Sequence, residues 1–241
     1  MKTGGPAGSA LVVMPEVRPA MRHPGVATFE QLKEKHRRLR AGFPDHVSLR
    51  VHRSLSWLQR AELEREDDDV RFVLLWIGFN AAYANEVAQP PDGERSAFAN
   101  YFNLLVDLDR ERRIYELVWT RFSQEIRLLL DNKFVFAPFW SHQNGVGGYD
   151  DWEARLSASK RAVGAALQRV DTARILSVLF DRLYILRNQL VHGGATWRGS
   201  VNRDQVRDCS ALLSGLLPIF IDIMMDNPSR DWGRPFYPIV N

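Results

Sequence analysis

The stretch LRNQLVHGGATW, residues 186–197, places an arginine, an asparagine and a histidine beside two glycines. Among these side-chain types only histidine titrates near neutral pH, so His192 is a candidate general acid or base. The planar guanidinium of Arg187 stays charged and can bind two phosphate oxygens at once. Asn188 can orient the imidazole through a hydrogen bond. These residue types suit acid–base chemistry on a phosphate group.

Helical spacing decides which of these side chains can meet. The pattern predicts a helix over 172–192, in which each residue advances by about 100°. Asp181, Asn188 and His192 fall within about 40° of one another, whereas Arg187 lies about 140° round from His192. The motif residues therefore converge only if the last turn bends or a second copy contributes. The opposite face is an apolar stripe directed at the core: Ile175, Leu179, Leu183, Leu186 and Leu190.

Two glycines follow the histidine. Gly193 and Gly194 allow a bend, because glycine readily adopts the left-handed conformation that ends many helices, and they leave space beside His192 for a bulky ligand. A structural interpretation remains open at this point, since a histidine in a last helical turn followed by glycine is also an ordinary helix end. Under that interpretation, alanine substitutions lower stability without removing a function.

The composition is that of a globular protein with one sizeable core: 241 residues, 45% hydrophobic and 25% charged. The net charge of +3 is too small to argue for nucleic-acid binding by itself. The single cysteine, Cys209, excludes an intramolecular disulfide and a multi-cysteine zinc site, and is typical of a reducing cytoplasm. We expect no metal and no cofactor, because the remaining histidines lack ligand spacing: His23, His36, His46, His52 and His142.

No strand pattern and no internal repeat is visible, which predicts an all-α, antiparallel helical bundle. Residues 1–27 are predicted to form a flexible tail, whose apolar run is too short for a signal peptide or membrane span. A single domain is predicted over 28–226, with a C-terminal extension over 227–241. Helices are predicted over 28–43, 46–66, 70–88, 151–169, 172–192 and 203–226, with one or two more within 94–131. The helix over 46–66 has an apolar face that includes Leu63, and the helix over 70–88 is central and buried. The last helix is predicted to kink at Pro218.

Two segments contain residue types that also occur in nucleotide-binding sites. Residues 132–150 are rich in aromatics and glycine and predict a long loop or lid, but GVGGYD lacks the lysine and preceding strand of a phosphate loop. Residues 94–131 interleave arginines with aromatics, as a nucleic-acid groove does. We prefer the interpretation that these aromatics belong to the core and the arginines to the surface.

RNQLVH resembles the motif of the HEPN superfamily (higher eukaryotes and prokaryotes nucleotide-binding): an arginine, a polar residue, three further residues and a histidine. The match covers Arg187, Asn188 and His192. The tract LWIGFNAAY, residues 75–83, resembles the first bundle helix of bacterial HEPN proteins grouped around abortive-infection (Apea-like) domains. Together these features span about residues 45–226.

The resemblance implies a helical bundle that dimerises with its motifs facing each other, forming a composite site. It implies a metal-independent endoribonuclease, a toxin or phage-defence effector in the cytoplasm, with RNA as substrate and an antitoxin or regulatory protein as a partner. His192 would be the acid or base, Arg187 the transition-state clamp, Asn188 an orienting residue and Asp181 a supporting one. In HEPN toxins paired with a nucleotidyltransferase antitoxin, a tyrosine two residues after the histidine is modified. Here Gly194 occupies that position, so that control mechanism does not carry over.

An alternative is a non-catalytic HEPN module that binds nucleotide or RNA as a dimeric interaction subunit. Arg187 would then hold a phosphate and His192 would donate a hydrogen bond, with no turnover. The sequence does not distinguish transfer, messenger and ribosomal RNA.

Overall fold

The computed structural model describes residues 23–84, 94–200, 202–235 and 237, with the backbone alone for 94–97. The described residues form an all-α helical bundle without a β-strand, as predicted. Its helices are α1 Phe29–Leu39, α2 Asp45–Leu63, α3 Asp68–Tyr83, α4 Glu94–Leu108, α5 Arg113–Tyr115 continued by a π-helical turn Glu116–Arg121, α6 Ser123–Asp131, α7 Ala137–Gln143, α8 Trp152–Arg169, α9 Thr172–Val191 and α10 Arg203–Asp226.

Side-chain caps explain where several helices begin. Thr28 and Gln31 form a reciprocal capping box at the start of α1. The Asp67 carboxylate accepts the backbone N–H groups of Asp69 and Val70 at the start of α3. Asp171 accepts the backbone N–H of Arg174 at the start of α9. The predicted starts at Thr28 and in the acidic run before α3 are thus confirmed.

The core is built around α3, which packs against α2, α9 and α10. Phe79 lies at its centre and is fully buried. Its ring lies 4.4 Å from that of Phe180 on α9, measured between centroids, and 5.0 Å from that of Tyr83. Further aromatic rings surround this pair: Phe98, Tyr101, Phe102 and Phe220. Because α3 is buried on most sides, its near-continuous apolar sequence reflects a central helix.

α10 is long and apolar enough to cross a membrane by length and composition alone, but 83% of its apolar window is buried inside the protein. It packs against α1, α2, α3 and α4. Pro218 lies within this helix and is buried.

The structure corrects several boundaries. Residues 133–135 and 137–143 form a 3-10 turn and α7, so the loop predicted over 132–150 contains a short helix in its first half. α3 ends at Tyr83, before the prolines expected to end it, and 85–93 lie outside the described residues. Leu63, predicted to share the buried face of α2, is 66% exposed, because at about 100° per residue it lies on the order of 125° around the helix from the centre of the buried stripe.

The expected region of one or two helices over 94–131 contains α4, α5 with its π-helical turn, and α6. Two of its arginines have partners within the protein. Arg112 lies over the ring of Tyr115 at 4.1 Å, and Arg113 forms ion pairs with Asp109 and Asp222.

Both ends of the described chain contact the bundle. Residue His23 hydrogen-bonds Ser214 on α10 at 3.0 Å. After α10, Trp232 is buried, and the fully buried Arg50 donates to the backbone carbonyls of Gly233 and Arg234. Residues 1–22 of the predicted tail lie outside the described residues.

Replacing Phe79 by alanine should lower the free energy of unfolding by about 3–5 kcal/mol, because the cavity would open among rings that cannot collapse into it. Urea unfolding followed by circular dichroism measures this change. The control is Leu63→Ala, which removes an exposed apolar side chain and should change stability by less than about 0.5 kcal/mol. Equal effects from the two variants would contradict the packing described here.

Candidate functional site

The motif sits on the last turn of α9. The predicted apolar stripe is buried at Ile175, Leu179, Leu183 and Leu186, while Leu190 is only partly buried near the helix end. Burial of this stripe fixes the rotation of α9 about its axis. The face that carries Asn188 and His192 therefore points away from the core.

Glycine geometry ends the helix directly after the motif. His192 is the C-cap residue, and Gly193 adopts a left-handed conformation with φ of +72°. The N–H of Ala195 donates to the carbonyl of Gln189 at 3.0 Å, which folds the chain back over the last turn. A Cβ at Gly194 would lie 3.3 Å from the same carbonyl oxygen, so a glycine fits best here.

Arg187 and Asn188 contact each other. The Arg187 Nη1 donates to Asn188 Oδ1 at 2.7 Å, and the guanidinium lies 5.6 Å from the centroid of the Tyr184 ring. Both side chains are partly exposed. The guanidinium is thus held in place while part of it remains accessible.

His192 stands apart from this pair. Its imidazole is exposed and makes no hydrogen bond to any described residue. The Asn188 side chain, expected to be able to touch His192, instead accepts from Arg187. Within one chain, then, the arginine and asparagine meet and the histidine remains separate, although Asn188 and His192 lie closer in angle around the helix.

Asp181 lies about two turns before Asn188 on the same side of α9 and is partly buried. Its place on this face agrees with the predicted spacing.

The loop that follows the motif is held by the acidic start of α3, a contact that the sequence did not indicate. Asp67 Oδ2 accepts from the indole Nε1 of Trp197 at 2.5 Å. Asp69 accepts the backbone N–H of Arg198 at 2.9 Å and pairs with Arg203 at 2.5 Å. The runs DDD at 67–69 and WRGSVNR at 197–203 have opposite charges. Nothing in their spacing shows that they meet across about 130 residues.

Asp67 shows how this contact affects ionisation. Partial burial raises the pKa of its carboxyl group. The hydrogen bonds from Trp197 and from the α3 backbone, together with the charge of Arg198, outweigh that effect and lower the pKa below its ordinary value of 3.8. The ionised carboxylate is therefore the form that holds the loop.

No group of three or more histidine, cysteine, aspartate or glutamate side chains suitable for a metal ion occurs in the described part of the chain. Cys209 is buried, and burial raises the pKa of its thiol, so it is unsuited to act as a nucleophile.

Two cavities lie elsewhere. One of about 470 Å³ is formed near the start of α1 by residues of α1, α2, α3 and α10 and has no lining residue from α9. The other, of about 430 Å³, lies between α6 and α10 and has an acidic rim: Glu125, Asp131, Asp204 and Asp208. This acidic rim repels phosphate groups, so the second cavity does not supply a phosphate site for the motif.

The Asp67→Asn variant tests the loop contact through its pH dependence. Asparagine keeps the capping oxygen but loses the charge, and its NH2 group cannot accept the hydrogen bond from Trp197, so stability at pH 7 should fall by about 1 kcal/mol. Because the folded-state pKa of Asp67 is depressed, its contribution is present above pH 3.8 and is lost as pH falls through the folded value. Urea unfolding at pH 7, 4 and 3 should show a steeper loss in the wild type than in the variant.

The control is Asp45→Asn at the exposed start of α2, where the aspartate makes no hydrogen bond or ion pair with a described residue. Its acid dependence should match that of the wild type. An Asp67→Asn protein with the same pH dependence as the wild type would contradict the stabilising role of this carboxylate.

The chain was compared with protein-family models, with curated proteins and with solved structures, and no match was found in any of the three.

Proposed function

We propose that this protein is a metal-independent endoribonuclease of the HEPN type. One observation carries the proposal: the end of α9 offers an accessible arginine and an exposed histidine, followed by a turn with no bulky side chain at Gly193 or Gly194. A phosphodiester backbone can approach such a helix end without displacing core residues.

The chemistry needs a base for the 2′-hydroxyl and a cation beside the phosphate. His192 takes the proton from a ribose 2′-hydroxyl, whose oxygen attacks the adjacent phosphorus atom. The bond from phosphorus to the 5′-oxygen breaks, leaving a 2′,3′-cyclic phosphate on one product and, after protonation, a 5′-hydroxyl on the other. Acid–base catalysis of this kind contributes about 10²–10⁴-fold to the rate. Arg187 stabilises the charge that develops on the phosphate oxygens.

Asn188 acts on the arginine in this proposal. Its Oδ1 accepts from the Arg187 guanidinium at 2.7 Å, so it positions the clamp. Asp181 lies further along the same face and supports the site from a distance.

A composite site across a dimer solves the geometric problem. Arg187 and His192 of one chain lie about 140° apart around α9, which suits an arrangement in which each copy presents its histidine to the other's arginine. Val191, exposed beside His192, adds apolar surface at this end of the helix.

The proposed biological role is that of a cytoplasmic toxin or phage-defence effector that cuts cellular RNA. Its control would come from an antitoxin or regulatory protein acting without modification of a tyrosine, since Gly194 occupies that position.

Purified protein should cleave total cellular RNA in the presence of EDTA. His192→Ala and Arg187→Ala should each reduce the cleavage rate by about 10²-fold or more, since each removes a group that acts on the transition state. Arg187→Lys should recover only part of the loss, because lysine cannot bind two oxygens in the same plane. The thermal unfolding midpoints should stay close to that of the wild type. Cleavage that persists in both alanine variants would refute the proposed site.

Mixing the two inactive variants tests the composite site. In a mixed dimer of Arg187→Ala and His192→Ala, one of the two shared sites keeps both an intact arginine and an intact histidine. After subunit exchange at equal amounts, half of the dimers are mixed and half of their sites are intact, so about a quarter of the wild-type activity should return. If arginine and histidine act within one chain, the mixture stays inactive.

One observation favours a second candidate, the non-catalytic RNA- or nucleotide-binding module. Histidines that act as bases are usually oriented by a hydrogen-bond partner, and His192 has none among the described residues. RNA binding that survives His192→Ala, with no cleavage by the wild type under any condition, would favour this candidate.

A further inference from the structure

The cavity between α6 and α10, called here the α6–α10 groove, has an apolar floor. Buried side chains of both helices form this floor: Ile126, Leu129, Cys209 and Leu212. Two large apolar side chains of the same groove are open to solvent, since Leu128 is 65% exposed and Phe134 is 44% exposed. Exposed apolar side chains gathered at a cavity of about 430 Å³ are typical of a surface that binds a polypeptide.

The rim of the groove has an excess of negative charge. It carries four carboxylates: Glu125, Asp131, Asp204 and Asp208. Lys160 and Arg207 form ion pairs with members of this set, and Lys133 stands at one end of the groove, 5.3 Å from the Phe134 ring centroid. The ion pairs are largely exposed, so they hold their partners weakly. Such a groove favours an apolar segment flanked by positive charge.

The part of the chain that the structure describes begins at one end of this groove. His23 Nε2 lies 3.1 Å from the carbonyl oxygen of Ala211 on α10, the residue directly before Leu212. The His23 ring packs against that of Phe122, which directly precedes α6, with centroids 5.5 Å apart. The Cα of Arg22 lies about 3.8 Å from that of His23 across the peptide bond. Residues 1–22 therefore join the bundle at this end of the groove.

The other end of the groove adjoins the last turn of α9. The carbonyl of Phe134 accepts from the Gln189 side chain at 2.6 Å. The side chain of Asn202, which directly precedes α10, donates to Gln189 Oε1 at 3.5 Å. Gln189 is the residue after Asn188. A segment that fills the groove therefore extends from His23 towards the candidate site.

Residues 1–22 have the composition that the groove favours. An apolar run, ALVVM at 10–14, is accompanied by three cations and one anion: Lys2, Arg18, Arg22 and Glu16. Eight residues separate this run from His23. At up to about 3.6 Å per residue they allow a reach of about 30 Å. The groove extends over only about 12 Å between Asp204 and Leu212, at about 1.5 Å per helical residue, so the run can reach any part of it.

We infer that residues 1–22 of the same chain occupy the α6–α10 groove, with the apolar run over Leu128 and Phe134 and the arginines beside the rim carboxylates. This inference is independent of the proposed ribonuclease activity. It assigns the groove to a contact within one chain, so a second copy or another protein has to displace the segment before it can bind there.

Labelling of an introduced thiol tests whether the groove is covered. Leu128→Cys places a thiol in the groove, and Leu63→Cys places one at the end of α2, where the leucine is 66% exposed, nearly the same as Leu128. In the full chain, a neutral maleimide should label Leu128→Cys at least about 10-fold more slowly, because a groove that is open for 10% of the time or less reacts only when open. Peptide mapping separates these labels from any on the buried Cys209.

Removing the apolar run should expose the groove. The combined variant Leu11→Ser, Val12→Ser and Val13→Ser changes no charge. It should raise the labelling rate of Leu128→Cys by about 10-fold or more and leave that of Leu63→Cys unchanged. Because the comparison is made at the same thiol, local charge effects on its reactivity cancel. Circular dichroism verifies that each variant stays folded.

Reversing the charges of the segment should have a similar effect. Arg18→Glu combined with Arg22→Glu should raise the labelling rate of Leu128→Cys, because these side chains would then be repelled by the acidic rim. Arg18→Lys combined with Arg22→Lys is the matched control and should keep the protection, since it preserves both charges.

Three outcomes overturn the inference. The first is labelling of Leu128→Cys as fast as that of Leu63→Cys in the full chain. The second is protection that persists in the serine variant, which shows that something other than the apolar run covers the groove. The third is protection that grows with protein concentration, which assigns the groove to a second copy. Protection that depends on the apolar run and is independent of concentration supports the contact within one chain.

Discussion

The burial of α9 against the aromatic core is the constraint on which the candidate site depends. Phe180 packs against Phe79, and the stripe that includes Leu183 and Leu186 is removed from water. Burying a side chain of this size contributes about 1.5–3 kcal/mol, so several of them fix the rotation of the helix firmly. The outward direction of Asn188 and His192 follows from this packing, whatever those residues do.

The acidic start of α3 has a second structural role beyond helix capping. Asp67 accepts backbone N–H groups of its own helix through one oxygen and the Trp197 indole through the other. The Asp69 carboxylate accepts hydrogen bonds from the backbone N–H of Arg198 and from the side chain of Arg203. The positions of Trp197 and Arg198 therefore depend on a helix distant in sequence, and a loss of charge at Asp67 or Asp69 affects both the start of α3 and these two residues.

The side chains at the end of α9 differ in how firmly they are held. Arg187 is supported by Asn188 and Tyr184, whereas His192 projects without support from the described residues. A flexible histidine loses catalytic efficiency unless something orients it, and a second copy or the bound ligand can provide that contact. The Trp197 indole, by contrast, is held by its hydrogen bond to Asp67.

The sequence alone determined the all-α class, the start of α1 at Thr28, the acidic start of α3, the span of α9 and the helix-ending role of Gly193. These features depend on local periodicity, capping and backbone conformation, which neighbouring residues decide. It also predicted that Arg187 and His192 diverge around one helix. It missed α7 within 132–150, because aromatic-rich short helices form only when other elements cover them. Only the tertiary structure decided that Asn188 contacts Arg187 in preference to His192. The contacts of Trp197 with Asp67 and of Gln189 with Phe134 join segments 130 and 55 residues apart, and long-range packing, which local pattern does not encode, brings them together.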